Sequence, residues 1–308
     1  MALVVALGVW VFGGDDAGSG TTVAEPTTAA QSAAASAAAS AAAVAEKSAQ
    51  AAAAASQSAA AAAAVKAEAQ KVAVAALPAK LDTILGGGGD TWSVATLNVK
   101  THALMSLGSD AGMYTGSTIK VTVLENLLRT QGGVANLTEN EQQLATAMIT
   151  QSDNEAALSL YNAGGGDSAL RETVSMLGMT HTQIEGGGYF GVSTTSAADQ
   201  IKVLNELIDP TFLTPADVAY VNDLMANVVT DQRWGTPTMA DPGTTTENKN
   251  GWLNNDSDSG KWLVNSLGII IIGGERYLVA AYSQHHPDFN TGVERLNQAV
   301  AAVAAALR

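Results

Sequence analysis

The sequence predicts an α+β domain in which an antiparallel sheet is assembled from both ends of the domain around a helical subdomain, with an Ala-rich helical stalk in front. Three observations carry this. Apolar and polar residues alternate after Asp90 and again toward the C-terminus, helix-start signatures fill the middle, and alanine dominates a long tract that precedes both.

Residues 1–28 read as an apolar N-terminus and linker. Met1 to Phe12 is apolar but falls short of the roughly 20 residues a spanning helix needs, and no basic residue precedes it. Asp15, Asp16 and a Gly/Ser/Thr stretch follow, as the exported flank of a truncated signal peptide or signal anchor would; a frayed apolar terminus is the alternative. Between Ala29 and Ala76, alanine supplies 29 of 48 residues, so the 47% hydrophobic content overstates the side chain available for a core. Alanine has the best helix propensity, and residues 29–79 are expected to form a helical stalk about 70 Å long at 1.5 Å per residue. Pro78 and the run Gly86 to Gly89 are expected to end it. Such a stalk would tether a domain of residues 80–308 to a membrane or through a cell wall.

Within that domain Trp92 to Val99 and His102 to Leu107 alternate, predicting an antiparallel hairpin. Thr138 with Glu141, Ser196 with Asp199, and Thr214 with Pro215 and Asp217 fit helix N-caps followed by an acid three residues on. Trp262 to Ile272 and Tyr277 to Tyr282, separated by Gly273 and Gly274, predict two more strands, and Gly292 to Ala306 a last helix.

Composition excludes several functions. After Ala79 there are 24 acids against 12 bases, which argues against a nucleic-acid partner because phosphate binding needs a basic footprint. No cysteine occurs, so disulfides, thiolate metal sites, a cysteine nucleophile and a lipobox anchor are absent from this sequence.

The chemistry concentrates in three short motifs. Ser117-Thr118-Ile119-Lys120 opens a helical run through Leu128, which puts the hydroxyl and the amine on one face. A serine nucleophile needs a base within hydrogen-bond reach, and a partly desolvated lysine can supply one while the helix N-terminus offers N–H groups to an oxyanion. Ser152-Asp153-Asn154 follows the helical run Glu141 to Thr150, and Lys249-Asn250-Gly251 stands before Trp252 and the C-terminal strand pair. Alone, the first spacing is met about once by chance in a chain of this length, and each of the other two is also an ordinary turn.

In this order the three motifs resemble the serine β-lactamase and penicillin-binding-protein superfamily, closest to class A β-lactamases and class-A-like serine hydrolases of actinobacterial envelopes. The resemblance runs from about Trp92 to the C-terminus and includes Gln232 to Gly235 and Trp262 to Ser266. It implies a β-lactamase/transpeptidase-like fold with Ser117 as acylated nucleophile and Lys120 as its general base. Ser152 would relay the proton to the leaving amine, Asn154 would bind the substrate amide, and Lys249 the substrate carboxylate. Asn250, Gly251 and Trp252 complete the expected substrate site, and the N–H groups of Ser117 and Trp252 would form the oxyanion hole. The resemblance implies no metal and no cofactor.

Three departures stand out. Ser117 and Ser152 are only 35 residues apart, so a segment of cleft wall is missing. Asn250 replaces the usual threonine or serine, which leaves an amide where a hydroxyl would contact substrate. No Glu-x-x-Leu-Asn pattern occurs between Thr182 and Ser193, where Glu185 is the one acid and the one candidate for activating a deacylating water. Gly186, Gly188 and Gly191 satisfy GxGxxG without a preceding strand and read as a flexible cleft edge, with Tyr189 and Phe190 as candidate substrate contacts. His285 and His286 read as a surface pair, and Trp234 and Trp252 as core or cleft residues in equal measure.

The expectation is an extracytoplasmic serine hydrolase, secreted or in the cell envelope, forming a covalent acyl-enzyme with a β-lactam or a peptidoglycan-type D-alanyl peptide and deacylating slowly. The opposed expectation is a non-catalytic envelope binding module that retains the fold.

Overall fold

A computed structural model of the protein describes residues 28–308; the export-signal reading of Met1–Phe12 lies outside the described residues. Contacts divide the chain into two compact units, with the division between Val65 and Lys66. In the first unit the described residues are helical and exposed from Thr28 onward. They belong to helix α1 (Thr28–Leu85), and no helix among the described residues is long and apolar enough to cross a membrane.

The second unit begins inside α1, which corrects the expected stalk end. Pro78 lies within the helix, and the helix continues to Leu85 before the glycine run stops it. A proline there removes one backbone bond. Burial outweighs that loss: Leu77, Leu81 and Leu85, four apart, are 2%, 0% and 2% exposed in one apolar cluster with Trp92, Leu296 and Val300. Polar contacts fix the same stretch, with Trp92 Nε1 donating to Asp82 Oδ1 at 2.8 Å and Gln70 Nε2 to the Leu307 carbonyl at 2.7 Å.

After α1 come β1 (Trp92–Asn98), β2 (Leu104–Gly108) and β3 (Met113–Tyr114). Helices α2 (Lys120–Gln131), α3 (Glu139–Thr146), α4 (Asn154–Ala163) and α5 (Gly166–Met176) follow, then β4 (Thr194–Thr195), α6 (Ala197–Glu206) and α7 (Pro215–Ala226). The chain closes with β5 (Glu247–Asn255), β6 (Lys261–Ile272), β7 (Glu275–His286) and α8 (Phe289–Leu307). The main sheet runs β2-β1-β7-β6-β5 and is antiparallel throughout, so both ends of the domain do build it. Thr138 and Thr214 each close a reciprocal capping box, and Ser196 accepts from the Asp199 N–H, as their spacings predict.

Both faces of the sheet are covered, and side-chain alternation sorts its residues. Leu278, Ala280 and Tyr282 of β7 face the core shared with α2 and α6, while Val279 and Ala281 face the core shared with α1 and α8. Burial on both sides explains why β6 reads as a nearly continuous apolar run. The edge strand β5 was not legible as a strand, because Glu247–Asn255 is mostly polar.

Candidate active site

The first motif sits on a 3₁₀ turn, Gly116–Ile119, that leads into α2 at Lys120. Thr118 anchors this turn: its Oγ1 donates to the Thr115 carbonyl at 2.7 Å and shares a 2.7 Å hydrogen bond with the Tyr282 hydroxyl. Asn265 Nδ2 donates to the Tyr114 carbonyl at 2.7 Å, tying the same loop to β6. Strand β5 passes directly against the turn. A Cβ placed on Gly251 would lie 2.7 Å from the Ser117 nitrogen, and one on Gly116 would lie 3.1 Å from the Trp252 nitrogen. Two glycines therefore let the backbones touch and bring the Ser117 and Trp252 amides to the same seam.

The second motif arises from an irregularity. A π-helical turn, Ala147–Gln151, ends α3 and leaves Ser152 at φ 63, a left-handed conformation that non-glycine residues seldom adopt. Asp153 then caps α4 by accepting from the Ala156 N–H at 2.7 Å, which makes Asn154 the first residue of that helix.

These pieces meet around two buried amines. Lys120 Nζ donates to the Ser152 carbonyl at 2.6 Å, to Ser152 Oγ at 3.2 Å and to Asn154 Oδ1 at 2.7 Å. Lys249 Nζ donates to Ser152 Oγ at 2.9 Å and to the Asn250 carbonyl at 2.8 Å. Burial lowers the Lys120 pKa to about 8, opposed by the Asp153 carboxylate, which raises it. Burial, and secondarily the charge of Lys120, pushes Lys249 well below the ordinary lysine value. Ser117 Oγ has no hydrogen-bond partner among the described residues and faces a cleft of about 350 Å³.

Asn154, Trp252 and Leu253 line that cleft with Ser117, and Leu158, Tyr189, Phe190 and Val192 form its apolar rim. No carboxylate is among the lining residues. Tyr189 is 73% exposed on the rim, whereas Phe190 is buried and stacks on Tyr161 with ring centroids 4.9 Å apart. Leu158 was missed in the sequence, although it stands one helical turn beyond Asn154.

Other expectations are corrected. Asn250 does not present its amide to the cleft: it is fully buried, and Nδ2 donates to the carbonyls of Gln232 at 2.8 Å and Trp234 at 3.0 Å. The register against β6 turns its side chain toward the 232–235 loop. Glu185 is exposed and lies outside the cleft lining, and its N–H donates to Ser193 Oγ at 2.9 Å. His286 is no surface residue, being fully buried with Nε2 at 2.9 Å from Ser283 Oγ, while His285 pairs with Asp258. Trp234 packs inside against Trp252 and Phe289, and Trp252 does both, packing there while lining the cleft.

Comparison with known proteins agrees with this fold. The pattern of the beta-lactamase enzyme family matches residues 132–307, more than half of the chain, leaving Ser117 and Lys120 just ahead of it. The protein named "Putative lipoprotein LppW" of Mycobacterium tuberculosis is 29% identical over 223 residues, covering 69% of each chain. Among solved structures, the TLA-1 extended spectrum beta-lactamase superposes with a TM-score of 0.65 at 16% identity, over 76% of this chain and 99% of its own. PBP-A superposes with a TM-score of 0.63 at 21% identity, over 75% and 95% respectively. With the match spanning more than half of its residues, the chain belongs to the beta-lactamase enzyme family.

Proposed function

We propose that this protein is a serine acyl-transfer enzyme of the cell envelope that forms an acyl-enzyme at Ser117 with β-lactams or peptidoglycan-type D-alanyl peptides and releases it slowly. The observation that carries the reading is the Ser152 hydroxyl shared by Lys120 and Lys249, joined through Lys120 to Asn154, which lines the cleft beside Ser117.

The donor inventory of that network dictates how a proton moves. Charged, Lys120 spends three N–H groups on the Ser152 carbonyl, Ser152 Oγ and Asn154 Oδ1. Neutral, it keeps two donors and gains a lone pair, and of those three partners only the Ser152 hydroxyl can donate to it. Ser152 thus exchanges protons with Lys120 while Lys249 holds its oxygen in place. Neutral Lys120 takes the Ser117 proton as the hydroxyl attacks the carbonyl, and Ser152 delivers a proton to the leaving nitrogen. The Ser117 and Trp252 N–H groups would receive the oxyanion.

Deacylation needs a second base facing a water, and the lining of the cleft contains no acid. A base displaced by about 1 Å already costs on the order of 100-fold. The acyl-enzyme should therefore accumulate, with a burst of nitrocefin turnover near one equivalent followed by a slow steady rate. The envelope location is supported by the lipoprotein name of the mycobacterial relative.

Intact mass after incubation with a penicillin tests the reading. One penicilloyl adduct is expected on the wild-type chain and none on Ser117→Ala. No adduct on the wild type would favour a binding module that has kept the fold, and an adduct on both would place the nucleophile elsewhere.

A further inference from the structure

Helix α2 is enclosed on every side from Lys120 to Leu128, all of them buried, so a polar side chain there has no solvent face to turn to. Asn126 meets this by bonding to Gly164, Thr173 and Arg129. Glu125 does not. It is 0% exposed, and neither carboxyl oxygen has a hydrogen-bond partner among the described residues; Thr122 Oγ1, three residues earlier on the same face, lacks one too. An ionised carboxylate placed there would be a buried charge without a single donor, whereas the protonated carboxyl is neutral.

The charge that acts on Glu125 is a second acid. Glu206, buried at the end of α6, accepts at Oε1 from the Thr211, Phe212 and Leu213 N–H groups at 2.9, 2.8 and 3.0 Å, and at Oε2 from Thr211 N–H at 2.8 Å and Thr211 Oγ1 at 2.7 Å. Both oxygens only accept, as those of an ionised carboxylate do. Burial first, and the Glu206 charge second, hold Glu125 well above the ordinary carboxyl value. No cation offsets the pair. On α2 itself Lys120 is committed to Ser152 and Asn154, and Arg129 to Glu172 of α5. Around it, Lys202 of α6 pairs with Asp199, Asp217 of α7 accepts from the Val134 and Thr214 N–H groups, and Asp167 of α5 accepts from Gly187 N–H. Glu155 of α4, Arg171 of α5 and Asp223 of α7 are exposed, and burial raises the Tyr220 phenol of α7 further from titration.

The two acids differ in their way out. Glu125 is enclosed by the buried turns of its own helix, whereas Glu206 holds a corner whose first residue, Thr211, is exposed. Repulsion between two carboxylates is therefore relieved by Glu206 turning to solvent, which breaks its bonds to Thr211, Phe212 and Leu213.

We propose that Glu125 is a proton-dependent lock: it keeps its proton at neutral pH, and losing that proton under alkaline conditions drives out the Glu206 side chain and opens the corner Thr211 to Leu213. Acid closes this part of the fold and alkali loosens it.

Infrared spectroscopy of the full chain at pH 7 reads the proton directly: a protonated-carboxyl band should be present in the wild type and missing from Glu125→Gln. Glu125→Met, apolar and similar in length, replaces that variant if it does not fold. Urea unfolding from pH 5 to pH 10 reads the linkage. The unfolded chain releases this proton near the ordinary value of 4.5 and the folded chain holds it, so the wild type loses stability as pH rises across that window. The folding constant of Glu125→Gln relative to the wild type should grow by up to about tenfold per pH unit and level off at the pH where the band disappears. From that pH upward the Thr211, Phe212 and Leu213 amides should exchange hydrogen about tenfold or more faster in the wild type than in the variant at the same pH. Absence of the band at pH 7, a band that survives until the chain unfolds, a folding-constant ratio independent of pH, or corner amides that exchange alike in both chains once the band is gone would each overturn the lock. None of these readouts depends on acylation at Ser117.

Discussion

The cleft is flanked by a buried wall, which reaches the lining through Asn154, and by a loop wall, and the two are built in opposite ways. On one side Lys120, Ser152 and Lys249 are held by short hydrogen bonds, and both lysines are almost wholly buried. On the other, Gly186 to Val192 is glycine-rich, with Gly187 and Gly188 at positive φ and Tyr189 standing 73% exposed. The Glu185 and Gly187 N–H groups donate to Ser193 Oγ and Asp167 Oδ2, and the Phe190 and Gly191 carbonyls accept longer 3.3 Å bonds from Thr115 Oγ1. Proton transfer needs fixed geometry to within a fraction of an ångström, whereas admitting a substrate needs compliance. On the proposed reading the first wall makes the acyl-enzyme, and the second contributes no acid with which to remove it.

Breaking the rigid wall should produce the largest effect. Lys120→Ala should slow acylation by about 10² to 10⁴-fold, the usual loss when a general base is removed. Stopped-flow acylation with a chromogenic cephalosporin measures it; a change under threefold would mean that Lys120 is not the base.

Next in size is the seam between that wall and the nucleophile. In Gly251→Ala the new methyl would lie 2.7 to 2.9 Å from the Ser117 nitrogen, the Thr115 oxygen and the Thr118 nitrogen, all backbone atoms that cannot rotate away. Overpacking of this kind costs about 1–3 kcal/mol, so acylation should fall about tenfold or more, with a lowered melting temperature. Wild-type rate and stability in this variant would show that the turn and β5 can separate freely.

The pH dependence sharpens the comparison further. Lys120 acts as a base only when neutral, and with its pKa lowered to about 8 the active fraction grows as pH rises through that value. Acylation should increase about fivefold between pH 7 and pH 8 and level off about a unit above the pKa. Stability follows the same sign. Between about 8 and the ordinary 10.5 the unfolded lysine binds the proton that the folded one has released, so unfolding free energy rises with pH across that window. A rate profile flat from pH 6 to 9 would exclude Lys120 titration from the rate.

The smallest effect belongs to the compliant wall. Glu185 is exposed and outside the cleft lining, so Glu185→Gln should change both burst and steady-state turnover by less than about twofold. A tenfold loss of steady-state turnover with an unchanged burst would make Glu185 the deacylating base after all.

How much of this was readable in the sequence depended on whether a feature was local. The grouping of Lys120 with Ser152 and Asn154 was legible because each short motif spans only three or four positions, and the structure brings those side chains together. The hairpin, the capping boxes and the two long C-terminal strands were legible for the same reason. Asn250 was not, since the direction of its side chain depends on β5 pairing with β6 and on a loop near Trp234, both tertiary. Pro78 looked like a helix end because only packing against α8 shows why Leu77, Leu81 and Leu85 carry the helix past it.

Ser152 holds a conformation better suited to glycine, and folding and chemistry place opposite demands on it. Ser152→Gly would relieve about 1 kcal/mol of local backbone strain and keep the carbonyl that Lys120 binds, while removing the hydroxyl shared by the two lysines. The relief is a gain in fitness for folding bought with the proton relay, so a library selected for heat resistance alone should drift to glycine at this position, and one selected for acylation should hold serine against it.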